Sequence, residues 1–586
     1  MAAPTWDLES IYPGGPASPV FHSHLKELEG RAQQLISDAD GLAAIGEDPS
    51  GWAATILAIT ELRWESVQLS VFAGCHSSAD ALSVDAQQAR ARTAALFNAL
   101  ERAWVPIHSG VARCDSADFE TLVDIESLSD SVPRLTWVRR HQKNLLSKSE
   151  AGLAVELGKD GIHAWNRLYG RISGTLTVAL DDGRELSVSQ AQNQMSSPDA
   201  TERKRAVDAL DAGWRTVADT CATALTHIVG TRLTLNRRRG VSMLSDTLAR
   251  NRMKEESLEA MLEAARRGVP VIQRYLDAKA KLLGKTKLAW EDQSAPLGDL
   301  GSTDWTAATA FIEEHFRGWN PVLGDFAATA FRERWIEAED RPHKRPGGWC
   351  AGLPSPPGAS RIFMTFGDNF RSTITLAHEL GHGYHNYVLR DVPPARRHVT
   401  STLAETASVF AENIVRDAGL AAASTDGARL AMLDARLSAG VGMLMNLPFR
   451  YNLERELYDM RARGEFQVTE LNDRTEALQQ EAYADSLSSW YPLFWAEKLH
   501  FYISDFAFYN YPYIFGYLFS TLVYRHAQQE GPSFLPRYDD LLRRTAWEDA
   551  EPLAMDVLGI DLTDPDHWYR GIEPLEEDLE SFLALS

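Results

Sequence analysis

The sequence predicts a mainly α-helical, multi-lobed protein, on three observations. Its 586 residues exceed what a single apolar core organises. Long stretches carry apolar residues at steps of three and four, the period of an amphipathic helix. Strand signals are confined to one hairpin pattern and one short run.

Taken in order, the first helical stretch covers residues 82–105, rich in Ala, Arg, Gln and Leu with few breakers. The hairpin follows, Thr175-Leu-Thr-Val-Ala-Leu-Asp-Asp-Gly-Arg-Glu-Leu-Ser-Val, alternating about Asp182-Gly183, a favoured two-residue turn. A domain boundary is expected just after it, near residue 190, giving an N-terminal helical domain (1–190) and a catalytic domain (191–586). The next helix spans 201–235, with Ala206, Leu210, Trp214, Val217, Cys221, Leu225 and Ile228 on one stripe; Ser196-Ser197-Pro198-Asp199 supplies its start. A Pro/Gly-rich loop zone at 341–360, including Pro346, feeds a strand-like run at 361–366. A further helix begins near Ser372 as cap and ends before Pro393-Pro394.

Composition narrows the function. A net charge of −22 disfavours nucleic-acid and anionic-membrane partners. The four cysteines (Cys75, Cys114, Cys221, Cys350) are far apart with no C-x-x-C, which reads as free thiols in a reducing compartment. No apolar run is long enough to cross a bilayer. No basic stretch followed by an apolar one opens the chain, so a cytoplasmic location is expected. The sequence carries no signal of oligomeric state.

The chemistry sits in His378-Glu379-Leu380-Gly381-His382, an H-E-x-x-H. Residues four apart share a helix face, so both imidazoles can reach one zinc ion, while Glu379 is placed to activate water. A catalytic zinc takes a third protein ligand. His385 lies roughly 10 Å from His378 along a straight helix axis, too far to converge on bonds of about 2.0–2.1 Å, and is expected beside the metal or facing substrate. The better candidate is Glu405, in a helical pattern over 402–414 that places Glu405, Ser408 and Glu412 on one face. Glu412 or Ser408 is then placed to hydrogen-bond a ligand imidazole. Glu379 would serve as general base and then acid. The developing oxyanion needs further donors, and the stretch from His500 to Tyr517 is rich in them.

Together, Ala377-His-Glu-Leu-Gly-His-Gly-Tyr-His385, Leu403-Ala-Glu-Thr-Ala-Ser-Val-Phe410 and the His/Tyr stretch from His500 resemble the oligoendopeptidase F family, zinc metallopeptidases related to thimet oligopeptidase. Trp6-Asp-Leu-Glu-Ser-Ile-Tyr-Pro13 and Gly559-Ile-Asp-Leu-Thr-Asp-Pro-Asp-His-Trp568 are similar to the family's end signatures. The resemblance implies a helical zinc-peptidase fold with a deep channel that admits short peptides and a small β element beside the active site. It implies one zinc per chain on His378, His382 and Glu405, with Glu379 catalytic. It also implies that the run 361–366 is a substrate-binding edge flanked by the loop Gly347-Gly-Trp-Cys350. More distant relatives space the late His and Tyr differently; His500, Tyr509 and Tyr511 are the expected donors, with Tyr513 and Tyr517 as rivals. The leading reading is an endopeptidase for short oligopeptides. The alternatives are a metal-dependent carboxypeptidase or dipeptidyl carboxypeptidase on the same fold, and a peptide-binding scaffold with a lapsed zinc site.

Overall fold

The computed structural model describes all residues except 1–2, 142–145, 299–300 and 346, so Pro346 of the expected loop zone lies outside the described residues. Most of the described chain is helical, as the periodicity predicts. The N-terminal part is built on α1 (Pro19–Asp40), α2 (Pro49–Ala79) and α3 (Val84–Arg113), each started by a side-chain cap: Ser18, Asp48 and Ser83. The stretch expected at 82–105 is α3. Next come α4 (Ile162–Thr175) and the hairpin β1 (Thr177–Ala179) and β2 (Glu185–Ser187). The long helix α5 (Ala200–Arg239) is capped by Asp199, which accepts from the Thr201 amide at 2.8 Å, and stopped by Gly240 at φ 68°. All of its predicted stripe is buried except Val217, which is half-buried.

The hairpin differs from expectation. The Gly183 amide donates to Leu180 at 3.0 Å and the Leu180 amide to Arg184 at 2.8 Å. The loop therefore has three residues, Asp181 to Gly183, with Gly183 at φ 85° taking the left-handed position that follows a type I turn. The boundary expected near residue 190 is also not where the apolar cores part. Ile162, Val178, Leu180, Val188 and Ala191 pack in the same core as Leu210 and Trp214. Two smaller cores are built from residues between Trp6 and Val138, one of them joined by Phe363.

The second sheet has the strand order β3 (Ile336–Glu337), β5 (Ser360–Phe363), β4 (Trp349–Gly352). β5 is parallel to β3 and antiparallel to β4, with Cys350 opposite Ile362. Beyond Phe363 the chain stays paired, with the Met364 amide donating to Glu337 and the Phe366 amide to Ala338. Of the run 361–366, expected as a substrate-binding edge, residues 361–363 are therefore paired on both sides, whereas 364–366 pair with the β3 side alone among the described residues. The outer strands are β3 and β4; of the loop expected at Gly347 to Cys350, Trp349 and Cys350 belong to β4, and Gly347 and Gly348 lead into it.

The N-terminal segment braces this sheet. Pro4 accepts from the amides of Ala338 and Glu339, and Arg361 donates to the Asp7 carbonyl. Trp6 is 7% exposed, with ring centroids 5.7 Å from Trp349 and 5.9 Å from Phe363. Replacing Trp6→Ala removes that packing and is expected to destabilise the protein by about 3 kcal/mol, read as a lowered midpoint in thermal denaturation. A change within error would mean that the segment does not brace the sheet.

Candidate metal centre and active site

The motif lies on α6 (Phe370–Val388). Its cap is Asn369, which accepts from the Ser372 amide at 3.0 Å; Ser372, expected as the cap, instead accepts from the Gly367 amide at 3.1 Å. α6 crosses α7 (Thr406–Ala422) at Gly381, where a Cβ would lie 2.5 Å from the Ala407 carbonyl oxygen and 2.6 Å from Ser408 Cα. Only glycine permits this approach.

The expected continuous helix 402–414 is broken at Glu405, which joins a short helix (Ser401–Ala404) to α7. The Glu405 carbonyl accepts the Val409 amide of α7 (3.1 Å) and, beside it, the hydroxyls of Ser408 (3.1 Å) and Ser520 (3.0 Å). Helix α8 (Tyr511–Glu530) passes behind it with Gly516, whose Cβ would lie 2.6 Å from Glu405 Cβ.

These crossings bring three ligand atoms together. His378 Nε2 and His382 Nε2 are 3.2 Å apart, and Glu405 Oε2 is 3.4 Å from each. Bonds of about 2.0–2.1 Å at a tetrahedral ion place ligand atoms about 3.3 Å apart, so the donor triangle fits a metal ion. Glu412 Oε1 meets His378 Nδ1 at 2.6 Å, as expected of it. With the Nδ1 proton committed there, Nε2 is the metal-facing atom. Ser408 does not reach an imidazole; it donates to Glu405 Oε2 at 2.7 Å. Without a cation, burial opposes charge on His378, but the Glu412 hydrogen bond and the charges of Glu412, Glu405 and Glu379 outweigh it and push the ring up to about 9. Burial, then the His378 charge, holds His382 down at about 4.

Glu379 is 5% exposed, and its Oε2 has no hydrogen-bond partner among the described residues. Burial, reinforced by Glu405 and Glu412, pushes its carboxyl up to about 7 against the pull of His378. Its other oxygen lies against Gly348, where a Cβ would sit 2.7 Å away.

His385 is neither in the cluster nor facing substrate. Its ring is buried, with Nε2 donating to Thr545 Oγ1 at 2.8 Å and to the Leu542 carbonyl at 3.1 Å.

The late aromatic stretch divides. His500 stacks on Tyr513 (5.9 Å, 13° between planes) and lies 5.0 Å from Tyr509. Its Nδ1 meets Asn510 Oδ1 at 2.7 Å, and burial holds the ring down at about 4, so it is neutral. Tyr513 is near enough to Glu405 for that charge to raise its phenol, after the larger effect of burial and the influence of Tyr509. Tyr511 turns into the core, where Asn251 Nδ2 donates to its hydroxyl at 2.8 Å; it is not part of this group. Tyr517 lies in the field of Arg416, Arg436 and Glu412. Sequence reading missed Asn510 and named Gly348 only within a loop flanking the strand, without its contact to Glu379. A polar residue between two tyrosines and a Gly-Gly pair ahead of the strand were the available signals.

A helical body carrying an H-E-x-x-H helix, with a carboxylate brought to both histidines, defines a metallopeptidase. Residues 312–573 match Peptidase family M3. The chain is 22% identical to an oligoendopeptidase F homologue of Lactococcus lactis, over 99% of this chain and 97% of that one. It is 24% identical to the oligopeptidase PepF of Bacillus subtilis, over 79% and 69%. The fold is that of the oligoendopeptidase F of Enterococcus faecium (TM-score 0.72, 17% identity, 96% and 98% covered) and of PZ peptidase A crystallised with an inhibitor (TM-score 0.76, 15% identity, 96% and 98% covered). The chain carries a Peptidase family M3 domain and is a homologue of the oligoendopeptidases F across most of its length.

Replacing Gly516→Ala is expected to push Glu405 off the histidines. The expected outcome is metal affinity weakened about tenfold or more, measured by chelator competition. Parental affinity would show that the close approach does not set Glu405.

Proposed function

We propose that this protein is a zinc-dependent endopeptidase that hydrolyses internal bonds of short peptides, with zinc held by His378, His382 and Glu405. The observation that carries this reading is the triangle of Nε2, Nε2 and Oε2 with 3.2–3.4 Å edges, beside a buried Glu379 oxygen that has no partner among the described residues. Homology to the oligoendopeptidases F supports the peptide substrate and the preference for short chains. Two imidazoles and one carboxylate form a donor set that suits zinc. Bound there, zinc would supply a Lewis acid that polarises the scissile carbonyl and makes water a nucleophile at neutral pH.

The chain's own groups carry the protons. Glu379 accepts a proton from the attacking water at its unpartnered oxygen as the new C–O bond forms. It then delivers that proton to the leaving amine as the C–N bond breaks. Tyr513, with Tyr509 beside it, is the O–H donor placed to meet negative charge developing on the carbonyl oxygen. His500, neutral and fixed by Asn510, packs the Tyr513 ring. The Asn510 oxygen accepts from His500 Nδ1, which leaves Nε2 as an acceptor. Peptide backbone can pair with the outer strand β4 through main-chain hydrogen bonds that tolerate varied side chains.

Glu379→Gln is expected to lower kcat by about 10²–10⁴ with zinc retained stoichiometrically; full turnover would refute the mechanism. Tyr513→Phe should lower kcat by about 10²–10³, whereas Tyr511→Phe should cost about 1 kcal/mol of stability with kcat kept. The reverse pattern would return the donor role to Tyr511. An internally quenched peptide with an amidated C-terminus should be cut as fast as the free acid. Loss of cleavage on amidation would favour the carboxypeptidase or dipeptidyl carboxypeptidase reading.

A further inference from the structure

Glu412 divides its two oxygens between different partners. Oε1 meets His378 Nδ1 at 2.6 Å. Oε2 accepts from Arg416 twice, from Nε at 3.1 Å and from Nη2 at 2.8 Å. Arg416 follows Glu412 by one turn of α7, so both sit on one rigid face. The neighbouring Arg436 is engaged elsewhere, with Asp417 and Asp578 each at 2.8 Å. Of these two guanidiniums, Arg416 is the one that holds Glu412.

We infer that Arg416 is a positioning residue of the metal centre: its guanidinium edge fixes the Glu412 carboxylate, and through it the ring of His378. The inference rests on the reading that His378, His382 and Glu405 hold zinc. A carboxylate on a freely rotating side chain would hold Nδ1 in many orientations. Two hydrogen bonds from a planar group select one.

Positioning and charge predict opposite signs here. Arg416 is a cation near a site for a divalent cation, and like charges repel. On charge alone, removing it strengthens metal binding. On positioning, removing it weakens binding, because His378 loses its fixed orientation. Loss of groups that orient a ligand imidazole typically costs about 10–100-fold in metal affinity.

The test measures zinc affinity of the metal-depleted full chain by competition with a chromophoric chelator, with helix content checked by circular dichroism. Arg416→Met should weaken zinc binding about tenfold. Arg416→Lys, which keeps the charge but lacks the paired donors, should weaken it about threefold or more. Glu412→Gln should weaken it about 10–100-fold, and adding Arg416→Met to it should change affinity by no more than about twofold, since Arg416 acts through Glu412. Zinc bound by Arg416→Met as tightly as by the parent, or more tightly, overturns the inference. So does parental affinity in Arg416→Lys, or a double variant whose losses multiply. If Arg416→Met fails to fold, Arg416→Lys decides. Failure of the underlying reading looks different: the parent chain binds no zinc, or His378→Ala leaves its affinity unchanged.

Discussion

The site depends on one steric constraint, the crossing of the motif helix and α7 at Gly381. With 2.5 Å between a virtual Cβ and the Ala407 carbonyl oxygen, any side chain there would force the helices apart. That separation governs both carboxylates that serve the histidines. Glu405 sits just before α7 and Glu412 is two turns into it, so one packing distance sets a ligand and the group that orients its partner. The second x of H-E-x-x-H is therefore not free in this chain.

A second close approach fixes the other side. Gly516 lets α8 lie directly against Glu405, and Ser520 on the same helix donates to the Glu405 carbonyl. The break between the two helices at Glu405 is held by hydroxyls from two directions. The electrostatics follow the same plan. Three carboxylates (Glu379, Glu405 and Glu412) converge, and Arg416 is the guanidinium placed on one of them. If all three are ionised, the net excess is two negative charges, which a divalent cation balances.

Much of this was legible in the sequence because it depends on local periodicity. The four-residue spacing of His378 and His382 fixes a shared helix face, and Glu412 one face away from the apolar stripe of α7 was readable in the same way. The expectations that failed are those where a tertiary partner overrides local preference. At Glu405, where one helix ends and α7 begins, the carbonyl also takes the hydroxyl of Ser520, a partner distant in sequence. The run 361–366 reads as a strand from its residues, but which strand is outermost depends on pairing with 335–338 and 349–352. Tyr511 and Tyr513 are indistinguishable by composition. The start of α8 turns Tyr511 toward Asn251 and leaves Tyr513 beside His500. His385, one turn past His382 on roughly the same face, finds its partner in Thr545.

The bracing of the sheet by Trp6 also has a consequence for biosynthesis. A chain made from its N-terminus releases residues 4–8 more than three hundred residues before the strands they hold, and Glu405 and Gly516 emerge later still. Until then Trp6 has no ring to cover, and the sheet has no fixed position relative to Glu379. Contacts this distant in sequence form late, after local helices. A nascent or truncated chain can therefore carry the motif helix without the assembled site, which keeps hydrolytic chemistry out of the unfinished protein.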